Sequence, residues 1–225
     1  MQQSKFQLVV FDWDGTLIDS ARKICNCIQA AARDLQLVEP DYNQAKNIIG
    51  LDLLESMQIL FPEQSRATQA ELVERFRQHS IYDDVTAQPL FEGVEAGLAR
   101  LDSRGVLLAV ATGKARRGLT RVFADIDIEH YFVTTRCADE SRSKPHPQML
   151  EDILETTSID PHKSIMVGDT SYDMQMAKNA GIPGLGAGYG VHSHSTLRKA
   201  SAIDVLDSFS GVIDWLLKRT EAAFS

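Results

Sequence analysis

An α/β fold, with a parallel sheet core interrupted by an inserted α-helical subdomain, is predicted by three features of the sequence. Short, continuously apolar runs recur along the chain. Helix-length segments with apolar residues at the helical period separate the later runs. The first and second runs are held apart by a long segment that carries the helical period alone. Runs that are apolar on both faces are what parallel strands covered by helices require. Strand and helix in alternation make βαβ units and hence a parallel sheet.

Taken in order, the strand-like runs are Leu8-Val9-Val10-Phe11, Val106 to Ala111, Tyr131-Phe132-Val133 and Ile165-Met166-Val167. The helical segments of the core are Gly93 to Leu101, Gly118 to Ala124, Pro147 to Leu154 and Met174 to Ala180. The gap between the first two runs exceeds what one crossover needs. Within it, Ala21, Ile24, Cys25, Ile28, Ala31, Ala32 and Leu35 form one apolar stripe. Leu53, Leu54, Met57, Leu60 and Phe61 form a second, and Ala70, Leu72, Val73 and Phe76 a third. Pro89 marks the return to the core. The expected division is a core of residues 1–19 and 89–225 and a helical subdomain of residues 20–88, joined by two linker strands.

Length and composition narrow the function classes. At 225 residues the chain is long enough for a large domain with an insertion. Its 44% apolar and 24% charged residues are those of an ordinary globular protein rather than a disordered or fibrous one. Twenty-three Lys and Arg against 31 Asp and Glu give a net charge of −8, which excludes a dedicated nucleic-acid binder and docking on anionic membrane. The longest apolar runs fall far short of the roughly 20 residues that span a bilayer. Lys5 is followed by a short apolar stretch broken at Asp12, so no secretory signal is expected and the location is taken as cytoplasmic. Cys25, Cys27 and Cys137 are an odd number and read as buried free thiols. A Cys25–Cys27 metal pair lacks a second Cys or His pair at ligand spacing.

The chemistry-bearing residues stand at strand ends, where ligands bind in parallel α/β sheets. After the first run comes Asp12-Trp13-Asp14-Gly15-Thr16. A turn accounts for Gly15 but not for two carboxylates packed against a buried strand. Two residues apart on an extended chain, both carboxylates face one side. The second run ends at Thr112-Gly113-Lys114, a hydroxyl followed by backbone N–H groups suited to an anion. Lys144 stands in Ser143-Lys144-Pro145-His146-Pro147, ahead of a helix. The fourth run ends at Gly168-Asp169-Thr170-Ser171-Tyr172-Asp173, with carboxylates four apart that share a helix face if Asp173 opens the helix. Singly, these residues read as caps or solvated charges. In order, at four successive strand ends, they do not.

Asp12-x-Asp14-Gly15-Thr16, Thr112, Lys144 and Gly168-Asp169-x-x-x-Asp173 resemble the four signature motifs of the haloacid dehalogenase-like (HAD) hydrolase superfamily. The likeness spans nearly the whole chain. The insertion looks like the C1-type helical cap of its phosphoglycolate phosphatase-like and β-phosphoglucomutase-like branch. The resemblance implies a Rossmann-like HAD core, with Asp12 as nucleophile and Asp14 as general acid and then base. It further implies Mg²⁺ held by the Asp12 carboxylate, the Asp14 backbone carbonyl and Asp169, with Asp173 in support. Lys144, Thr112 and the N–H of Gly113 would hold the phosphoryl oxygens. Physical chemistry agrees. Carboxylate attack on phosphorus is covalent catalysis, and a phosphate dianion approaches three carboxylates only with a hard, oxygen-liganded cation. To hold a proton near neutral pH, Asp14 needs crowded, water-poor surroundings.

Asp14 separates the chemistries of the superfamily. Dehalogenases and phosphonoacetaldehyde hydrolases depart at this position, and the Asp-Lys-Thr-Gly-Thr signature of transport ATPases is absent. Mutases of the branch carry an Arg shortly after a cap-loop Gly, whereas Ile49-Gly50-Leu51-Asp52-Leu53 has none. The expectation is a phosphomonoester phosphatase acting on a small phosphorylated metabolite, monomeric like other capped enzymes of the kind. The alternatives are a β-phosphoglucomutase-like mutase and a non-catalytic phosphate-binding module. Thr112-Gly113-Lys114 is similar to the Thr-Asn-Lys of phosphoglycolate phosphatases, departing at Gly113. A substrate carboxylate would need a cation from the cap or the Lys114 loop. Lys46 and Arg22 qualify, though each reads as a solvated charge. His192 and His194, after the Gly-rich stretch 184–190, lack a third metal ligand. His146 reads as a helix-start residue and Met174 as core packing. Trp13 is expected to point away from Asp12 and Asp14.

Overall fold

A computed structural model describes residues 5–223. Strand β1 (Leu8–Phe11) is entirely buried. After it come four helices, α1 (Ala21–Asp34), α2 (Tyr42–Asn47), α3 (Leu53–Leu60) and α4 (Arg66–Gln78), the last continuing into a π-helical turn at His79–Asp83. The chain returns through α5 (Val94–Asp102), β2 (Leu107–Ala111), α6 (Arg116–Asp125), β3 (Phe132–Arg136) and α7 (Gln148–Thr157). It ends with β4 (Ser164–Gly168), α8 (Ser171–Asn179), β5 (Gly184–Ala187), α9 (His194–Lys199), β6 (Ala202–Leu206) and α10 (Phe209–Leu217).

The six strands form one parallel sheet in the order β3-β2-β1-β4-β5-β6. Phe11 pairs with Val110 on one side and Val167 on the other, so the carboxyl ends of β1, β2 and β4 lie level. The strand order reverses at β1, which makes this the crevice where ligands bind in open α/β sheets. Side chains alternate between the faces of each strand. Val9 and Phe11 pack with Leu98, Leu101, Val212 and Leu216 on one face. Leu8 and Val10 pack with Met149, Leu150, Ile153 and Met176 on the other. Trp13 is buried in the first of these layers, edge-on to Phe123 at 5.1 Å between ring centroids.

The four inserted helices share an apolar cluster, including Cys25, Ile28, Ala31, Met57 and Leu72, that also takes in Val191 from the loop after β5. The first stripe is buried along most of its length, but Ala70 and Leu54 of the other two are exposed. Gln69 takes the buried place beside Leu72, its amide donating to the Phe61 carbonyl at 3.0 Å. The two connecting segments pair with each other. Ile18 and Leu90 form an antiparallel bridge, flanked by Asp19 N–H to Pro89 O at 2.9 Å and Phe91 N–H to Leu17 O at 3.0 Å.

The sequence reading ends its strands at residue 167, whereas the sheet continues through the Gly-rich stretch. β5 is Gly184-Leu185-Gly186-Ala187, all buried. A side chain at Gly184 would come within 2.8 Å of the Met174 sulfur, and one at Gly186 within 3.0 Å of Val205 Cγ2, so close packing excludes the β-branched residues that mark a strand. α2 is likewise unanticipated, a six-residue helix begun by an Asp41–Gln44 capping box. No helix among the described residues is long and apolar enough to cross a membrane.

Packing of α5 against α10 sets a test of the core. A Cβ on Gly97 would lie 2.5 Å from Ile213 Cγ1 and 2.7 Å from Phe209 Cε1. Gly97→Val is expected to lower stability by about 1–3 kcal/mol through overpacking. Urea unfolding checks it, and an unchanged midpoint contradicts this contact.

Candidate active site

The turn after β1 sets the first two carboxylates. Trp13 O accepts from Leu17 N–H at 2.9 Å and Gly15 N–H donates to Ile18 O at 2.9 Å, closing the chain into a tight turn. Gly15 has φ +83°, and a Cβ there would stand 2.2 Å from Asp169 Oδ2, so conformation and space both demand glycine. Asp12 continues the strand, its N–H bonded to Val167 O at 2.9 Å, and its side chain is buried at the end of the sheet.

Lys144 is fully buried beside it. Its ammonium lies 2.7 Å from Asp12 Oδ1 and 2.7 Å from Asp173 Oδ1. The contact with Asp173 is a hydrogen bond. The contact with Asp12 is an ion pair outside hydrogen-bond alignment, so both Asp12 oxygens are buried without a hydrogen-bond partner. Asp169 accepts from the Thr16 hydroxyl at 2.8 Å and from Val191 N–H at 2.7 Å. Asp173 is the third residue of α8 rather than its opener. Its Oδ2 accepts from Thr170 N–H at 3.0 Å and the Thr170 hydroxyl at 2.7 Å, in a capping box. Oxygens of Asp12, Asp169 and Asp173 lie within 4.8 Å of one another.

Burial and mutual repulsion govern the charges. Burial first, and then the Asp173 charge, push the Asp12 carboxyl well above the ordinary carboxylate range, and Lys144 offsets this in part. Asp169 is pushed up to about 7 by burial and then by Asp173, against the pull of the Val191 and Thr16 donors. Burial acts to lower the Lys144 ammonium, but the Asp12 and Asp173 charges prevail and hold it above its usual value. Such a cluster asks for positive charge. An orphaned, buried Asp12 carboxylate beside two others is an all-oxygen donor set that fits a hard divalent cation.

Asp14 stands apart from this cluster. Its Oδ1 accepts from the Ser20 hydroxyl at 2.7 Å, and its Oδ2 lies 3.1 Å from the Lys114 ammonium. Thr112 is buried and its Oγ1 accepts from Lys114 N–H at 3.1 Å, which leaves the hydroxyl proton to donate. Gly113 sits directly under the inserted helices, where a Cβ would come 2.5 Å from Gly50 O and 2.7 Å from Leu51 O. Asp52 N–H donates to Ser143 Oγ at 3.1 Å, and the Tyr172 hydroxyl to Asn47 O at 3.2 Å. Residues 47–52 are thus seated on the strand ends. Two open hollows of about 480 and 440 Å³ lie elsewhere, against α5 and between α1 and the π-helical turn.

The structure therefore brings Asp12, Lys144, Asp169 and Asp173 together, with Thr112 and Gly113 on the neighbouring strand end. Thr16, Ser20, Val191 and Lys114 as direct partners of these carboxylates were not singled out by sequence. Thr16 and Lys114 lay inside recognised motifs, which is a usable signal, whereas Ser20 and the backbone of Val191 carry none. Lys46 reaches Gly190 O at 3.4 Å, and Arg22 is exposed. His192 and His194 do not converge. His192 Nδ1 accepts from Ser171 N–H at 2.9 Å, while His194 Nε2 pairs with Asp207 at 2.8 Å. His146 Nδ1 accepts from Gln148 N–H at 3.2 Å, at the start of α7. The three cysteines are free and buried, their thiols raised by burial to about 11 for Cys25 and about 12 for Cys27 and Cys137.

A parallel sheet whose switch point gathers four carboxylates and two ammoniums under a helical insertion defines a hydrolase of the capped α/β type. The profile of the family described as haloacid dehalogenase-like hydrolase matches residues 9–187, and the chain belongs to that family. "Probable phosphatase IndB" of Dickeya dadantii is 35% identical over 92% of this chain and 91% of its own. A "Phosphoglycolate phosphatase" of Vibrio vulnificus is 33% identical over 96% of this chain and 99% of its own. Among solved structures, a hydrolase from Pseudomonas syringae superposes with a TM-score of 0.86 at 19% identity, over 95% of this chain and 98% of that one, a likeness of fold.

The pH dependence of divalent-ion binding follows from Asp169. With its folded value raised from 3.8 to about 7, its contribution to metal-free stability is complete below about pH 4 and lost as pH rises through about 7. A cation must displace those protons at pH 5 but not at pH 8. Excess MgCl₂ is expected to raise the Tm more at pH 8 than at pH 5, measured against EDTA-treated protein. Equal shifts at both pH values, or none, contradict the metal-binding role of this cluster.

Proposed function

We propose that the protein is a Mg²⁺-dependent phosphomonoester phosphatase acting on a small phosphorylated metabolite, with residues 20–88 as a cap over a core of residues 1–19 and 89–225. The observation that carries this reading is the buried Asp12 carboxylate, paired with the Lys144 ammonium at 2.7 Å through Oδ1 and without a partner at Oδ2. A carboxylate so placed is kept from water, aimed by one ion pair and left with its second oxygen without a partner, as a nucleophile requires.

Asp12 attacks phosphorus in line, forming the O–P bond of an aspartyl-phosphate as the ester P–O bond breaks. Asp14 gives its proton to the departing alkoxide. It then takes a proton from the water that attacks the same phosphorus, and inorganic phosphate and free Asp12 result. Acid–base help of this kind is typically worth about 10²–10⁴-fold. The Thr112 hydroxyl and Gly113 N–H donate to the phosphoryl oxygens as charge spreads over them. Lys144 adds a fixed positive charge and orients Asp12. The Asp12 carboxylate, the Asp14 carbonyl and Asp169 would hold Mg²⁺, with Asp173 steadying Lys144. When bound, the ion supplies positive charge opposite the phosphoryl oxygens.

Phosphatase is favoured over mutase by the cap loop. The segment seated on the site is Asn47 to Asp52, which contributes backbone carbonyls at Gly50 and Leu51 and no arginine to grip a second phosphate. The phosphatase names of the Dickeya and Vibrio relatives support the same reading.

Hydrolysis of para-nitrophenyl phosphate in MgCl₂ is expected to stop on adding EDTA and to fall by at least about 10³-fold in Asp12→Asn, the loss expected when a covalent nucleophile is removed. Metal-independent turnover, or activity retained in that variant, would falsify the proposal.

A further inference from the structure

We infer that Val191 is a positioning residue for Asp169: its side chain is seated in the apolar cluster of the inserted helices, and that seat sets its backbone N–H on a carboxylate that would hold the metal. The inference rests on the Mg²⁺ reading above and adds to it a link between the packing of the insertion and the affinity of the site for the ion.

Val191 belongs to two parts of the molecule at once. In the chain it follows β5, within the sheet domain, yet its buried side chain is counted with Ile28, Ile48, Ile49, Leu51 and Leu72 of the insertion. Its N–H donates to Asp169 Oδ2 at 2.7 Å. The other Asp169 oxygen accepts from the Thr16 hydroxyl at 2.8 Å, so one donor on each oxygen fixes the plane of the carboxylate. A carboxylate oxygen has two lone pairs, and each of these keeps one for a cation. Mg²⁺ demands near-ideal octahedral geometry, which makes the angle of its ligands count.

The two donors differ in what holds them. Thr16 is buried in the turn after β1, and its carbonyl accepts from the Tyr189 hydroxyl at 2.9 Å. Val191 stands in the loop between β5 and α9, whose neighbouring residues reach α2 of the insertion. Gly190 O accepts from Lys46 Nζ at 3.4 Å. His192 Nδ1 accepts from Ser171 N–H, which leaves Nε2 to donate toward Asn47 O at 3.4 Å. The loop meets Asp169 without slack. A Cβ on Gly190 would lie 2.3 Å from Asp169 Cβ and 2.4 Å from Oδ2, and His192 N–H donates to Asp169 O at 3.1 Å. A backbone N–H on a carboxylate is by itself ordinary. What sets this one apart is that the side chain beside it is anchored among the inserted helices. Coupling of this kind is reciprocal: if the anchor sets the affinity for the ion, the ion tightens the packing around the anchor.

Two alanine variants in one cluster test this. Val191→Ala removes the apolar anchor and keeps the N–H. Val73→Ala removes the same atoms from the same cluster, but on α4, which gives Asp169 no donor. Both are expected to lower the Tm of EDTA-treated protein. Titration calorimetry with MgCl₂ is expected to show a Kd raised by about tenfold in Val191→Ala, the lower end of what an outer-shell partner is worth, and within about twofold of wild type in Val73→Ala. Equal weakening in both variants is general loosening and overturns the inference, as does an unmoved Kd in Val191→Ala. Wild type supplies a second readout that does not depend on how well Val191→Ala folds. MgCl₂ is expected to slow amide hydrogen exchange in residues 45–57, measured against EDTA-treated protein, and unmoved exchange there overturns the inference too. Wild type that takes up no Mg²⁺ sinks the metal reading itself. Uptake by wild type with the same Kd in Val191→Ala sinks the Val191 inference alone.

Discussion

Carboxylates gathered within 4.8 Å of one another in a place closed to water repel strongly, and the arrangement of Asp12, Asp169 and Asp173 persists because Lys144 is buried among them. Two like charges 4 Å apart interact by about 4 kcal/mol even at an effective dielectric constant of 20. Lys144 meets two of the three at 2.7 Å. Four carboxylates, with Asp14 included, and two ammoniums, Lys144 and Lys114, sum formally to −4 + 2 = −2 when all are ionised. That is the charge a divalent ion neutralises. The raised Asp12 and Asp169 carboxyls are the same imbalance expressed in protons.

The sheet makes this concentration possible. β1 lies between β2 and β4 in matching register, so three strands deliver their last residues to one level. The chain beyond each strand diverges to opposite faces and leaves a crevice. Each acidic residue is then fixed by donors close to it in the fold: Thr16 and Val191 on Asp169, Thr170 on Asp173, Ser20 on Asp14. Asp12 has only the Lys144 ammonium, at 2.7 Å from Oδ1. A buried carboxylate with an oxygen that no donor reaches is costly to keep, and it is this cost that supports the proposed role of Asp12 as nucleophile.

What the sequence revealed and what it hid divide along physical lines. Strands buried by helices on both faces announce themselves as apolar runs, and β1, β2 and β4 lie within a residue or two of the runs that mark them. β5 is hidden because its neighbours press too close for side chains. Met174 against Gly184 and Val205 against Gly186 replace the β-branched signal with glycine, which reads as loop. Gln69 in place of Ala70 has a similar cause. A buried amide bonded to a carbonyl is as acceptable to a helix interface as a methyl group, but hydropathy does not register it. At the site, residues that are chemically unusual for their position, such as a lysine and carboxylates at strand ends, could be singled out from the letters. Two of their partners, Ser20 and Val191, could not. Ser20 is an ordinary polar residue ahead of a helix, and Val191 takes part through its backbone N–H alone.

Ser20 also links the insertion to the chemistry. It stands at the N-cap of α1, where a serine hydroxyl ordinarily accepts from the first turn of the helix and contributes about 1 kcal/mol. In this helix it makes no capping bond, and its hydroxyl donates to Asp14 Oδ1 at 2.7 Å. The first residue of the inserted helices thus forgoes its local role to hold the carboxylate at the strand end. The return segment is fastened beside it through Asp19 N–H and Pro89 O at 2.9 Å. The Ser20 hydroxyl thus ties the start of α1 directly to Asp14. A sheet that binds its ligand at the rim has no lid of its own. Inserting the helices directly after the turn that bears Asp12 and Asp14 places residues 47–52 over Gly113 and joins the insertion to Asp14 through Ser20, an arrangement that suits the proposed cap and the proposed proton-handling role of Asp14.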